Sequence, residues 1–184
     1  MKKLLTPVLA TASLGLALCT LPLAATAALK VGDAAPDFTT QAALGGKTFT
    51  FALADALRKG PVVLYFYPKS FTSGCTVEAH LFAEATPKFA ALGAMVIGVS
   101  HDTIETQQKF SKEECRDAFA VAADGDSKII KAYDAKLMMV PGMADRISYV
   151  IDPKGKVAAV YASMDPEGHV GATMKAVEAI KSAK

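Results

Sequence analysis

Two apolar runs, Val62-Val63-Leu64-Tyr65-Phe66-Tyr67 and Ala94-Met95-Val96-Ile97-Gly98-Val99, restrict the fold of this chain more than any other feature. Neither alternates polar with apolar residues, so each reads as a strand covered on both faces. Between them Val77, Leu81, Phe82, Phe89 and Leu92 suit one helix from Gly74 to Leu92. Strand, helix, strand forms a βαβ unit, which calls for a parallel pair and a right-handed crossover. Helices must then cover both faces of a central sheet.

The rest of the chain can be arranged around that unit. Asp37-Phe38-Thr39-Thr40 and Thr48-Phe49-Thr50-Phe51 flank Leu44-Gly45-Gly46-Lys47, which predicts an N-terminal hairpin. Leu53 to Arg58 is a short helix closed by Gly60. Asp102 with Glu105 three residues on has a capping-box pattern, opening a helix that runs toward Cys115. A strand over Ala118 to Ala122, a turn at Asp124-Gly125 and a short helix from Ser127 to Tyr133 follow. Ile147 to Ile151 and Val157 to Tyr161 are strands joined by the turn Asp152-Pro153-Lys154-Gly155. A helix near Ala172 to Lys181 closes the chain. The expected architecture is a three-layer α/β/α domain with a mixed central sheet and an N-terminal β-hairpin.

Residues 1–27 stand apart. Lys2 and Lys3 precede a stretch rich in Leu, Ala and Val, and Ala25-Thr26-Ala27 offers a small-x-small cleavage site, the pattern of a secretory signal. Cleavage after Ala27 leaves one domain over residues 28–184, placed in the periplasm or secreted, with no stable membrane association. It also takes two lysines and no acidic residue, so a net charge of +2 falls to zero. No basic stripe remains for nucleic acid. Cys75 and Cys115 are the cysteines left. One such pair in an exported domain is also what a plain structural disulfide would require.

Cys75 falls in the first turn of the predicted helix, within Tyr67-Pro68-Lys69-Ser70-Phe71-Thr72-Ser73-Gly74-Cys75. The amides of a helix start have no intrahelical partner and favour negative charge, so the thiolate is favoured there. The run Pro68-x-x-x-Thr72-x-x-Cys75, the segment Val31-Gly32-Asp33-x-Ala35-Pro36-Asp37-Phe38 and Arg146-x-Ser148-Tyr149-Val150-Ile151-Asp152 occur in an order that resembles the peroxiredoxins of the bacterioferritin-comigratory (PrxQ) branch. That resemblance covers nearly all of the mature chain and implies a thioredoxin-like fold. It implies a peroxidase in which Cys75 attacks hydrogen peroxide or a small organic hydroperoxide and becomes a sulfenic acid. In this reading Thr72 aligns the attack, Pro68 screens the sulfur from water, and Arg146 stabilises the charge on sulfur and leaving oxygen. An external dithiol protein of thioredoxin type would regenerate the enzyme, and no haem, flavin or metal is called for.

The chain departs from the branch in one respect. Many members carry a resolving cysteine five residues after the first, where this chain has His80. Cys115 is then the remaining candidate to resolve Cys75 as an intramolecular disulfide, from late in the helix beginning at Thr103. His80 reads as a helix-face residue without catalytic duty, and the methionine-rich stretch Met138 to Met143 as soft packing. A rival function is thiol-disulfide exchange on other proteins. The absence of a Cys-x-x-Cys pair argues against it.

Overall fold

A computed structural model of the protein describes residues 28–183. The expected leader therefore lies outside the described residues. The elements follow the order β1 (Thr39–Leu44), β2 (Lys47–Ala52), α1 (Leu53–Leu57), β3 (Val62–Phe66), α2 (Ser73–Ala91), β4 (Met95–Ser100), α3 (Ile104–Glu113), β5 (Ala120–Ala123), α4 (Lys128–Ala132), β6 (Ile147–Ile151), β7 (Val157–Ala162) and α5 (Gly168–Ser182). The seven strands form one sheet in the order β2-β1-β5-β4-β3-β6-β7. β3 pairs in parallel with β4, and β4 with β5, while β6 runs antiparallel to β3 and β1 antiparallel to β5. The expected mixed sheet and N-terminal hairpin are present, and the hairpin extends the sheet beyond β5.

Every residue of β3 is buried, as an unbroken apolar run requires of a central strand. Its side chains divide by strand alternation. Val62, Leu64 and Phe66 enter a core with Ile97, Tyr133 and Tyr149. Val63, Tyr65 and Tyr67 enter a second core, with Cys75, Phe82, Phe110 and Cys115. The Tyr67 amide still reaches the Val99 carbonyl at 3.1 Å. Pro68, which has no N–H to donate, ends the ladder there. Tyr65 needs the glycine opposite it: a Cβ at Gly98 would lie 2.7 Å from its ring, which stacks on Phe82 at 4.5 Å. The Tyr65 hydroxyl is buried and has no hydrogen-bond partner among the described residues.

Four boundaries differ from expectation. α3 is capped by Thr103, whose side chain accepts from the Thr106 amide, rather than by Asp102. It also stops at Glu113, with Glu114 as its C-cap, so Cys115 lies beyond the helix. The amides of Glu114 and Cys115 both donate to the Phe110 carbonyl, and Arg116 and Asp117 then turn left-handed at φ 53° and 58°. That stop is the geometry glycine usually supplies at a helix end, carried here by residues that do not announce it. β5 starts at Ala120 in consequence. α5 begins at Gly168, because two glycines inside its first turn conceal a helix start.

Candidate active site

The turn from β3 into α2 sets the geometry around Cys75. Phe71 adopts φ 64°, a left-handed conformation that costs a non-glycine residue about 1–2 kcal/mol. Its ring packs edge-on against Phe110 at 5.2 Å. The turn is held from below by a buried polar network. The Ser70 amide donates to Asp102 Oδ2 at 2.8 Å, and Ser100 Oγ donates to the same oxygen at 2.7 Å. Tyr67 Oη donates to Gln107 Oε1 at 2.7 Å, while Gln107 Nε2 donates to Ser100 Oγ at 2.7 Å and to the Ala122 carbonyl at 3.1 Å. Asp102, read from sequence as a helix cap, instead anchors the cysteine loop. Networks of this kind rigidify when every member is satisfied.

Cys75 is the third residue of α2 and only 1% exposed. Arg146, the residue just before β6, comes alongside because β6 pairs with β3 in the register Phe66 to Ile147. Its guanidinium is buried and directs Nη2 to Cys75 Sγ at 3.4 Å, Nε to the Met164 carbonyl at 3.2 Å and Nη1 to Glu78. Gly74 leaves room for this approach, since a Cβ there would sit 3.2 Å from Nη2. Residues 71 positions apart in sequence thus meet in one buried contact.

Glu78 was not anticipated. It lies one turn after Cys75 on the buried face of α2, with its side chain fully covered. Burial pushes its carboxyl up, to about 8, against the pull of Arg146. An acidic residue three positions from the key thiol, inside the apolar stripe of Ala79 and Phe82, was the signal available in the sequence. Behind it stands His169, whose Nδ1 is 3.6 Å from Glu78 Oε1. His169 Nε2 donates to the Ser163 carbonyl at 2.9 Å, so Nδ1 is left to accept from Ser148 Oγ at 2.7 Å. Burial lowers the pKa of His169 and favours this neutral form.

The other predicted residues are less tightly engaged. Thr72 is the N-cap of α2 but makes no side-chain cap; its exposed hydroxyl donates to the Lys69 carbonyl at 3.0 Å. Pro68 is half-buried beside the loop. Cys115 is fully buried, and both cysteines are free thiols. Burial pushes the Cys115 thiol up, and the neighbouring Glu114 adds to this. Met138 and Met139 are 95% and 88% exposed, so the soft-packing role expected for them does not hold. An apolar cavity of about 440 Å³ lined by Phe49, Phe51, Ala56, Met95 and Phe119 does not include Cys75. The site is therefore identified by its chemistry rather than by cavity size. No helix among the described residues is long and apolar enough to cross a membrane.

Comparison with known proteins bears on the family and the fold. Residues 31–160 match the AhpC/TSA family. The chain is 33% identical over 155 residues to Peroxiredoxin Bcp of Bacillus subtilis, covering 82% of this chain and 96% of that protein. It is 34% identical over 148 residues to the chloroplastic Peroxiredoxin Q of Triticum aestivum, covering 80% of this chain and 66% of that longer protein. Among solved structures, Peroxidoxin BcpB from Mycobacterium tuberculosis superposes with a TM-score of 0.75 at 29% identity, over 83% of this chain and 98% of that one. Xanthomonas campestris Peroxiredoxin Q superposes with a TM-score of 0.66 at 30% identity, over 76% and 89% respectively.

Proposed function

The chain belongs to the AhpC/TSA family, and from that premise we propose that it is a thiol peroxidase of the peroxiredoxin Q/Bcp kind in which Cys75 reduces hydrogen peroxide and small organic hydroperoxides. The contact of Arg146 Nη2 with Cys75 Sγ at 3.4 Å carries this reading. A buried guanidinium cannot give up its proton, so it stabilises a negative sulfur wherever the two are held together. Attack of that thiolate on one peroxide oxygen breaks the O–O bond and leaves a sulfenic acid on Cys75. The departing oxygen takes up a proton to leave as water or an alcohol. Arg146 meets the charge that develops on it. The free amides at the start of α2 add donors on the same side.

In this reading Thr72 turns its hydroxyl from the Lys69 carbonyl to the incoming peroxide, which aligns the attack. Pro68 keeps bulk water off the sulfur. Cys115 then resolves the sulfenic acid as an intramolecular disulfide, and an external dithiol protein of thioredoxin type reduces it. One equivalent of peroxide followed by non-reducing peptide mapping tests this. A Cys75–Cys115 linkage is expected in the parent, and Cys115→Ser is expected to hold a trappable sulfenic acid without loss of the first fast phase. A parent that stops at sulfenic acid with Cys115 free would instead be a one-cysteine enzyme.

Residues 1–27 supply the remaining part of the proposal, that the enzyme is exported. The support is their signal-like pattern alone. The intact mass of protein recovered from the producing cells is expected to begin at Ala28. A mass that retains Met1 to Ala27 would place the enzyme inside.

A further inference from the structure

Cys115 is bracketed by two side-chain pairs that tie its flanks to one face of α2. Glu114, immediately before it, accepts from His80 Nε2 at 2.8 Å, and the side chains are 23% and 34% exposed. Arg116, immediately after it, pairs with Glu84 at 3.2 Å in a more open setting. His80 and Glu84 are four residues apart, so they project from the same side of the helix that begins with Cys75. The segment they hold is an uncomfortable one. Arg116 and Asp117 are consecutive non-glycine residues in the left-handed region, a conformation such residues avoid unless the surroundings impose it.

The placement has a consequence for the second half of the cycle. Pairing of its two neighbours with positions 80 and 84 sets Cys115 level with the stretch between them, around Phe82. Seven residues of helix separate that level from Cys75, roughly 10 Å along the axis. A disulfide requires Cα atoms within about 4.4–6.8 Å of each other. The segment carrying Cys115 must therefore leave its seat for the disulfide to form, together with or in place of the first turn of α2.

We propose that His80 and Glu84 are positioning residues for resolution: their pairs with Glu114 and Arg116 hold Cys115 closed and set how fast it reaches the oxidised Cys75. This rests on the reading of Cys115 as the resolving thiol. Once released, the Cys115 thiolate attacks the sulfenic sulfur of Cys75. The S–S bond forms as the S–O bond breaks, and hydroxide leaves to be protonated to water; the sulfenic sulfur is reduced as the thiol is oxidised. The backbone strain at Arg116 and Asp117 favours opening, and the two pairs oppose it. His80, which occupies the position where many related sequences carry the resolving cysteine, acts here on the cysteine that replaces it.

The experiment measures two rates on the reduced, full-length protein. One is alkylation of Cys115 by N-ethylmaleimide, read by peptide mass. The other is disulfide formation after a single equivalent of hydrogen peroxide, read by rapid quench. His80→Ala and Glu84→Ala are each expected to raise both rates, by roughly 1.4- to fivefold, the range set by losing one such pair, with the rate of sulfenic acid formation unchanged. His80→Gln, which can still donate to Glu114, is expected to stay near the parent; a merely structural role would not separate the two substitutions in this way. Should one alanine variant fold poorly by circular dichroism, the other carries the measurement. Unchanged alkylation in the folded variants would overturn the latch. Faster alkylation without any disulfide would instead remove Cys115 from the cycle, and so defeat the reading on which the latch rests.

Discussion

Cys75→Ser is expected to reduce peroxide consumption to the uncatalysed background while leaving the fold intact. The substitution is close to isosteric in a site that is 1% exposed, and serine still offers an oxygen to the Arg146 guanidinium. What is lost is the chemistry. A hydroxyl is not ionised near neutral pH, and it is a far weaker nucleophile toward a peroxide oxygen than a thiolate. Stopped mixing of reduced protein with hydrogen peroxide, followed by residual-peroxide assay, measures this directly. Turnover retained at even a few per cent of the parent would mean that the reacting sulfur is elsewhere, and Cys115 would be the next to test. Thermal unfolding of the same variant should show a midpoint near that of the parent.

Arg146→Met is expected to slow the first step by about 10²–10³-fold, the usual loss when one preorganised donor to a developing charge is removed. The side chain has three simultaneous engagements, with Cys75 Sγ, the Met164 carbonyl and Glu78. Lysine retains a charge but not the planar fork that serves all three, so Arg146→Lys should recover only part of the rate. Stability should change as well, with a pH dependence that can be signed. Without Arg146 the buried Glu78 carboxyl has lost the partner that lowers its pKa, which burial has already raised above the ordinary value of 4.5. The folded state then holds a proton that the unfolded state releases, so stability is greatest below about 4.5 and falls as pH rises through the ordinary carboxyl range toward the raised folded value. Leaving that carboxylate charged and unpaired would cost about 3–5 kcal/mol; protonation caps the loss below that figure near neutral pH. Thermal melts of Arg146→Met against the parent at pH 5 and pH 9 test this, and a gap that narrows at the higher pH would contradict it.

These two residues also mark how far the sequence could be read. β3 and β4 were legible because unbroken apolar runs have few other uses, and the position of Cys75 followed from a strand, a proline and a helix start in close succession. Arg146 was legible only through its motif, since a lone arginine before a strand carries no local sign that it will be buried. Glu78 had a local sign, a carboxylate on an apolar helix stripe, that periodicity alone marks as odd without saying what neutralises it. Asp102 was misread because a residue that can cap a helix can as readily accept from a distant amide, and only the sheet brings Ser70 to it. Cys115 was misplaced for the same kind of reason. The end of α3 is decided by Arg116 and Asp117 taking a conformation that tertiary pairs sustain and no glycine foretells.

The stretch between β7 and α5 carries a practical lesson for anyone trimming or fusing this protein. The family match ends at residue 160, but the carbonyls of Ser163 and Met164 receive His169 and Arg146, and His169 itself backs Glu78. A chain cut at that homology boundary would keep Cys75 and Arg146 and still lose the scaffold that aims one at the other. The carboxyl end, for all its distance from the reacting sulfur in sequence, belongs to the machinery and is a poor place to economise.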